Sequence, residues 1–311
     1  MRRRTGAALF VLVVAIGAAA STGGGEAPAV AAGERPRIVA TTSIVEDVVA
    51  QVGGDGVDLT GLLNSGQNPH DYEPTARTLG ELSEAQIIFV SGLGLEESLL
   101  EVLRESTNGT IVPVSDGIEP RDFSVVTRNA VDPHAWMSPI NVKVWVENIR
   151  ATLVSLNPAS ASIYEQNASV YLRQLDELDL FIRSAVSVIP PDRRELVTGH
   201  RVFGYFADEY GFEQVGFVVP GSSTGAEATA KELADLVELI RARNVPAIFV
   251  GVTAGPWLKQ LAESVAGEAG GDVRVLPVLT GSLAPAGQPG DTYLGFIRFN
   301  VEQIIAGLGD E

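Results

Sequence analysis

The 311 residues contain no cysteine. This excludes disulfide bridges, thiolate metal sites, cysteine nucleophiles and attachment of a lipid through an N-terminal cysteine. A chain of this length does not need disulfides, since it can bury a large fraction of its surface without them. Basic residues are also short: 22 Lys and Arg stand against 39 Asp and Glu, giving a formal net charge of −17. Nucleic-acid binding requires a basic face, so the composition excludes that partner. An acidic surface serves solubility and mildly concentrates cations. Beyond the N-terminus no apolar run approaches the ~20 residues of a membrane-spanning helix. Histidine occurs only three times.

The N-terminus reads as an export signal. Arg2, Arg3 and Arg4 form a basic region and residues 7–20 an apolar one, too short for a good membrane span. Small residues offer two cleavage sites, before Ser21 or before Ala32, with a Gly/Ala/Pro-rich tether between them. A cut after Ala20 takes the charge from −17 to −20, because the three arginines leave with the signal. The mature chain is expected to be exported, periplasmic or otherwise extracytoplasmic, and not lipid-anchored through cysteine.

All three histidines sit beside turn-forming residues: His70 in Asn68-Pro69-His70-Asp71-Tyr72-Glu73-Pro74, His134 in Asp132-Pro133-His134-Ala135-Trp136, and His200 in Thr198-Gly199-His200-Arg201. One histidine after a proline is more often an exposed turn residue than a ligand. Three such loops together point to metal, because neutral imidazole is the commonest transition-metal ligand. Three histidines and one carboxylate would fill a zinc tetrahedron. The best candidate for that carboxylate is Asp291, in the turn Gly287-Gln288-Pro289-Gly290-Asp291-Thr292-Tyr293.

The rest of the chain alternates strand and helix, which argues for parallel βαβ units with ligand loops at the carboxyl ends of the strands. Expected strands are 37–41, 57–63, 87–90 and 111–114 in the first half, and 195–198, 217–219, 247–250 and 273–276 in the second. Residues 159–188 lack Gly and Pro and carry Ile163, Val170, Leu175, Leu178, Ile182 and Val186 at near-helical spacing. About 45 Å of helix is longer than a small domain is wide, so this segment is read as a spine between two lobes. In the second lobe, Ser222, Ser223 and Thr224 are candidates to cap a helix over 226–244. The expected fold class is α/β, two lobes with parallel sheets joined by a long rigid helix and a metal site in the cleft. The expected division is a signal peptide and tether over 1–32, an N-terminal lobe over 33–157, a linking helix over 158–190 and a C-terminal lobe over 191–311.

The ordered motifs Asn-Pro-His-Asp-Tyr-Glu-Pro, Asp-Pro-His-Ala-Trp, Thr-Gly-His with Phe-Gly-Tyr-Phe, and Gly-Asp-Thr-Tyr resemble those of the metal-binding solute receptors of ABC importers, the zinc and manganese group. The resemblance covers nearly all of residues 37–308. It implies two ligands from each lobe, His70 and His134 from the first and His200 and Asp291 from the second. It also implies a divalent metal ion as cargo, and an ABC permease with its ATPase as partner to a monomeric receptor that is not an enzyme. Where the family commonly continues Leu-Asp-Pro after the second motif, this chain has Met137-Ser138-Pro139, and it has no His-rich acidic loop. A histidine at the third ligand position favours zinc, as imidazole chemistry does; manganese or iron is the alternative within the same class. Metal affinity is expected to fall as pH drops through the histidine range near 6.5. Asp71, Glu73 and Asp132 are placed to orient the ligand rings, and Trp136 and Tyr293 to pack the cleft. A zinc hydrolase is the rival reading. It needs an open coordination position, which four protein ligands would deny, and no His-Glu-x-x-His helix is present.

Overall fold

Two sheets of the same strand order carry the molecule. In this computed structural model, which describes residues 34–72, 74–122, 131–221, 227–270 and 272–309, the first sheet comprises β1 (Arg37–Ala40), β2 (Asp58–Gly61), β3 (Ile87–Val90) and β4 (Thr110–Pro113). The second comprises β5 (Glu195–Thr198), β6 (Glu213–Phe217), β7 (Ala247–Gly251) and β8 (Arg274–Val278). Their orders are β2-β1-β3-β4 and β6-β5-β7-β8, and every neighbouring pair is parallel. Central strands β3 (IIFV) and β7 (AIFVG) are buried at every residue, the signature of a sheet covered on both faces.

Crossover helices supply that cover. They are α1 (Ser43–Gly53), α2 (Ala76–Glu84) and α3 (Glu97–Ser106) in the first half, and α6 (Gly204–Tyr210), α7 (Ala230–Arg243) and α8 (Pro256–Ala269) in the second, where the last helix, α9 (Tyr293–Leu308), follows β8 and packs on β7 and β8. Between the halves run α4 (Pro139–Leu156) and α5 (Ala161–Val186). The Thr42 hydroxyl accepts from Val45 N at the start of α1, which fixes the chain direction immediately after β1. Among the described residues no helix is long and apolar enough to cross a membrane. The expected signal falls outside the described residues.

The expected spine is α5, whose 26 residues extend about 39 Å at 1.5 Å each. It packs on α1 and α4 from one side of the chain and on α6 and α9 from the other. Its buried stripe is Tyr164, Ala168, Tyr171, Leu175, Leu178, Ile182 and Val186, a repeat of three and four residues that keeps one face inward. Ile163 and Val170, expected on that face, are 48% and 40% exposed. Each lies one position before a residue of the true stripe, so the inward face of the first three turns is rotated about 100° from the expected direction.

Two other expectations change. The strand placed at 217–219 is β6, Glu213–Phe217, because Glu213 N bonds to Arg194 O and starts the pairing earlier. The helix expected over 226–244 is α7, capped by Thr229, whose hydroxyl accepts from Glu232 N while the Glu232 carboxylate accepts from Thr229 N. This reciprocal pair satisfies two orphan donors. Ser222, Ser223 and Thr224 lie outside the described residues.

Candidate metal centre

Each histidine is held by local backbone chemistry. His70 lies in a single 3-10 turn, Pro69–Asp71, where the Asn68 side chain accepts from His70 N at 3.2 Å. His134 follows Pro133 and precedes a second short turn, Ala135–Met137. His200 follows β5 directly, with Gly199 N still bonded to Phe249 O of β7 and the Thr198 hydroxyl donating to His200 O at 2.7 Å. β5 lies between β6 and β7, so His200 leaves the sheet where the strand order reverses, the customary ligand crevice of such sheets.

These loops converge. One donor atom from each of His70, His134 and His200 lies within 4.8 Å of the others. The ring centroids stand 5.4–5.9 Å apart, all edge to face, and the His134 and His70 Nε2 atoms are 3.4 Å apart. Among the described residues this is the sole group of three or more such donors. His134 and His200 are buried at 0% and 2% exposure, while His70 is half-buried and forms the open side.

Asp132 orients the central ring. Its Oδ1 lies 2.8 Å from His134 Nδ1 and accepts from His134 N at 3.0 Å. A carboxylate there holds the proton on Nδ1 and leaves the Nε2 lone pair for metal. Asp132 is fully buried and its Oδ2 has no hydrogen-bond partner, though Arg121 Nη1 lies 3.8 Å away. The expected orienting role thus has a geometric basis for Asp132; the side chains of Asp71 and Glu73 lie outside the described residues. Asp132→Asn should weaken metal affinity about 10–100-fold with little change in fold, as measured by competition against a chelating dye.

Asp291 is not brought to the cluster. It is exposed, and its Oδ2 accepts from Gly287 N at 2.8 Å within its own turn. Short acidic side chains in glycine-rich turns commonly bond to local backbone in this way. The neighbouring residues do reach the centre. Tyr293, fully buried, donates to Trp136 O at 2.8 Å, and the Trp136 indole donates to Thr280 O at 2.7 Å while its ring meets the His134 ring at 5.2 Å. The segment around Thr280 carries no histidine or carboxylate, so nothing in the sequence marked it. Its position depends on Gly281, where a Cβ would come within 2.7 Å of the Pro69 ring beside His70.

Burial sets the protonation of the cluster. Removal from water, and secondarily the neighbouring His134, lowers the His70 pKa to about 3. The same causes, with His70 added, hold His200 well below its usual value. Both rings are therefore neutral and ready to ligate well into the acid range. For these two rings burial moves proton competition below the 6.5 of a free imidazole.

Three converging imidazoles, one of them backed by a carboxylate, can hold a transition metal. A family model described as "Zinc-uptake complex component A periplasmic" matches residues 38–307. The chain belongs to this family. Members of the zinc-uptake component A family are substrate-binding proteins of ABC transporters, not enzymes, so the hydrolase reading falls away. Among similar relatives, the manganese-binding lipoprotein MntA of Halalkalibacterium halodurans is 32% identical over 299 residues, covering 96% of this chain and 97% of the relative. The zinc-binding protein TroA of Treponema pallidum is 33% identical over 284 residues, covering 89% and 90%. A solved Mn-bound periplasmic metal-binding protein from Candidatus Liberibacter asiaticus superposes with a TM-score of 0.78 at 28% identity, covering 88% of this chain and all of the other. The two-lobed architecture is thus common to this chain and its structural relatives.

Proposed function

We propose that the protein is an extracytoplasmic receptor that captures one divalent transition-metal ion between its two sheets, zinc in preference to manganese, and delivers it to the permease of an ABC importer. His70, His134 and His200 are the proposed protein ligands. The observation that carries the reading is the convergence of three imidazoles within 4.8 Å. All-imidazole donation suits zinc, whereas manganese prefers carboxylate and water oxygens. Manganese is the second reading, favoured by the relative named for manganese binding over nearly its whole length. Several relatives are named lipoproteins, but these 311 residues offer no cysteine to carry a lipid. We therefore propose a receptor free in a periplasm or held by its signal segment.

The test is metal content by mass spectrometry of untagged protein from its native compartment, followed by zinc–manganese competition at pH 7. About one zinc per chain supports the proposal; native manganese retains the receptor and overturns the metal; no stoichiometric metal after reloading overturns the site. Asp291→Ala decides the fourth ligand. Unchanged affinity leaves the Gly287–Tyr293 turn a structural role, and a loss of about two orders of magnitude places its carboxylate in the ligand set.

A further inference from the structure

The loop that carries His134 is gripped from outside its own lobe at two points placed symmetrically about the ligand. Tyr205, in the first turn of α6, donates its hydroxyl to Asp132 O at 3.0 Å and accepts from Arg121 N at 3.0 Å. Tyr293, the first residue of α9, donates to Trp136 O. The two carbonyls belong to the residues two before and two after His134. Both hydroxyls come from the half of the chain that supplies His200, and Tyr205 follows His200 by five residues.

We infer that Tyr205 and Tyr293 are positioning residues for metal capture, a two-point clamp that keeps the His134 ring aimed at His70 and His200 only while the halves are engaged. The inference rests on the metal-binding reading above. A buried tyrosine hydroxyl needs a partner, and each of these, 8% and 0% exposed, takes a carbonyl flanking the ligand.

The surroundings are built for the contact. Gly204 brings α6 so close that a Cβ there would stand 2.5 Å from Asp132 Oδ2, the carboxylate that orients His134. At the other end the Asp47 carboxylate of α1 accepts from Tyr293 N at 2.9 Å, fixing the first turn of α9 against the first half. The Trp136 indole, bonded to Thr280 O, closes the same end. Separation of the halves would break both tyrosine bonds and free the His134 loop at each side, so that release of the ion follows from loss of ligand geometry.

The experiment compares full-length protein with Tyr205→Phe, Tyr293→Phe and the double variant, which keep the rings and remove only the hydroxyls. Co2+ is the spectroscopic probe, because its visible bands report ligand geometry, and the zinc off-rate is measured by transfer to a chelator. The clamp predicts an altered Co2+ spectrum and a zinc off-rate raised about tenfold or more in the double variant, with smaller changes of the same kind in each single variant. Tyr210→Phe is the control: its hydroxyl, also on α6, donates to Asp179 of the spine at 3.0 Å and should leave both readings at wild-type values. Wild-type spectrum and off-rate in the single and double variants would overturn the clamp, as would equal changes in Tyr210→Phe. Failure of the unmodified protein to bind Co2+ or Zn2+ would instead overturn the metal reading beneath it. The single variants keep the test decisive if the double variant does not fold.

Discussion

His134→Ala is expected to abolish stoichiometric metal binding and to destabilise the metal-free protein as well. The first effect follows from geometry: removing the central ring leaves His70 and His200, fewer than the three ligands that zinc sites draw from the protein. The second follows from Asp132. Its Oδ2 already lacks a hydrogen bond, and Oδ1 keeps only the backbone N–H of residue 134 once the ring is gone. Leaving a buried polar group short of partners costs about 1–3 kcal/mol, more when it is charged. The variant should therefore show no zinc-induced rise in melting temperature and a lower melting temperature without metal. A variant that binds one zinc per chain with wild-type affinity would remove His134 from the site.

The metal-free protein is expected to lose stability steadily as pH falls below about 6.5, before most carboxylates titrate. The sign follows from linkage. In the unfolded chain each histidine takes up a proton near pH 6.5, whereas the folded His70 does so only near pH 3 and the folded His200 well below its usual value. Between these limits the unfolded state binds more protons, so acid favours it by about 1.4 kcal/mol per pH unit for each histidine concerned. Stability is complete above the unfolded value and is lost as pH falls towards the folded one. Urea midpoints of metal-free protein at pH 7.5, 6.5, 5.5 and 4.5 measure the slope. His200→Gln should flatten it by one proton. A flat wild-type profile over that range would show that the rings protonate freely in the fold.

Most of the fold was legible because alternation of apolar runs with helical periods is a strong signal, and the turn residues around the three histidines marked loops. Four parallel strands in each half and the long central helix follow from those patterns. What the sequence concealed was phase and proximity. The α5 stripe starts at Tyr164, since tyrosine and alanine at 164, 168 and 171 carry the inward face as well as aliphatic residues would, and Ile163 beside Tyr164 looked the better core residue. The site divides in the same way. Its histidines are legible as rare residues in turns, whereas Asp291 satisfies its own turn and Tyr205, Thr280 and Gly281 contribute through position in space. A hydroxyl bonded to a distant backbone carbonyl leaves no periodicity to read.

The apolar cluster that contains the α5 stripe also contains Ile38 and Val45 of the first half and Phe249, Tyr293 and Leu308 of the second. The halves thus share this cluster through the spine, beside a smaller apolar cluster within each half. For folding this means cooperativity across the cleft: neither half, expressed alone, retains the surface its inner helices pack against, and heat or urea should melt both in one transition. The receptor's capacity to give way at the metal site is accordingly confined to the loops and the cleft edge, while the spine side stays closed.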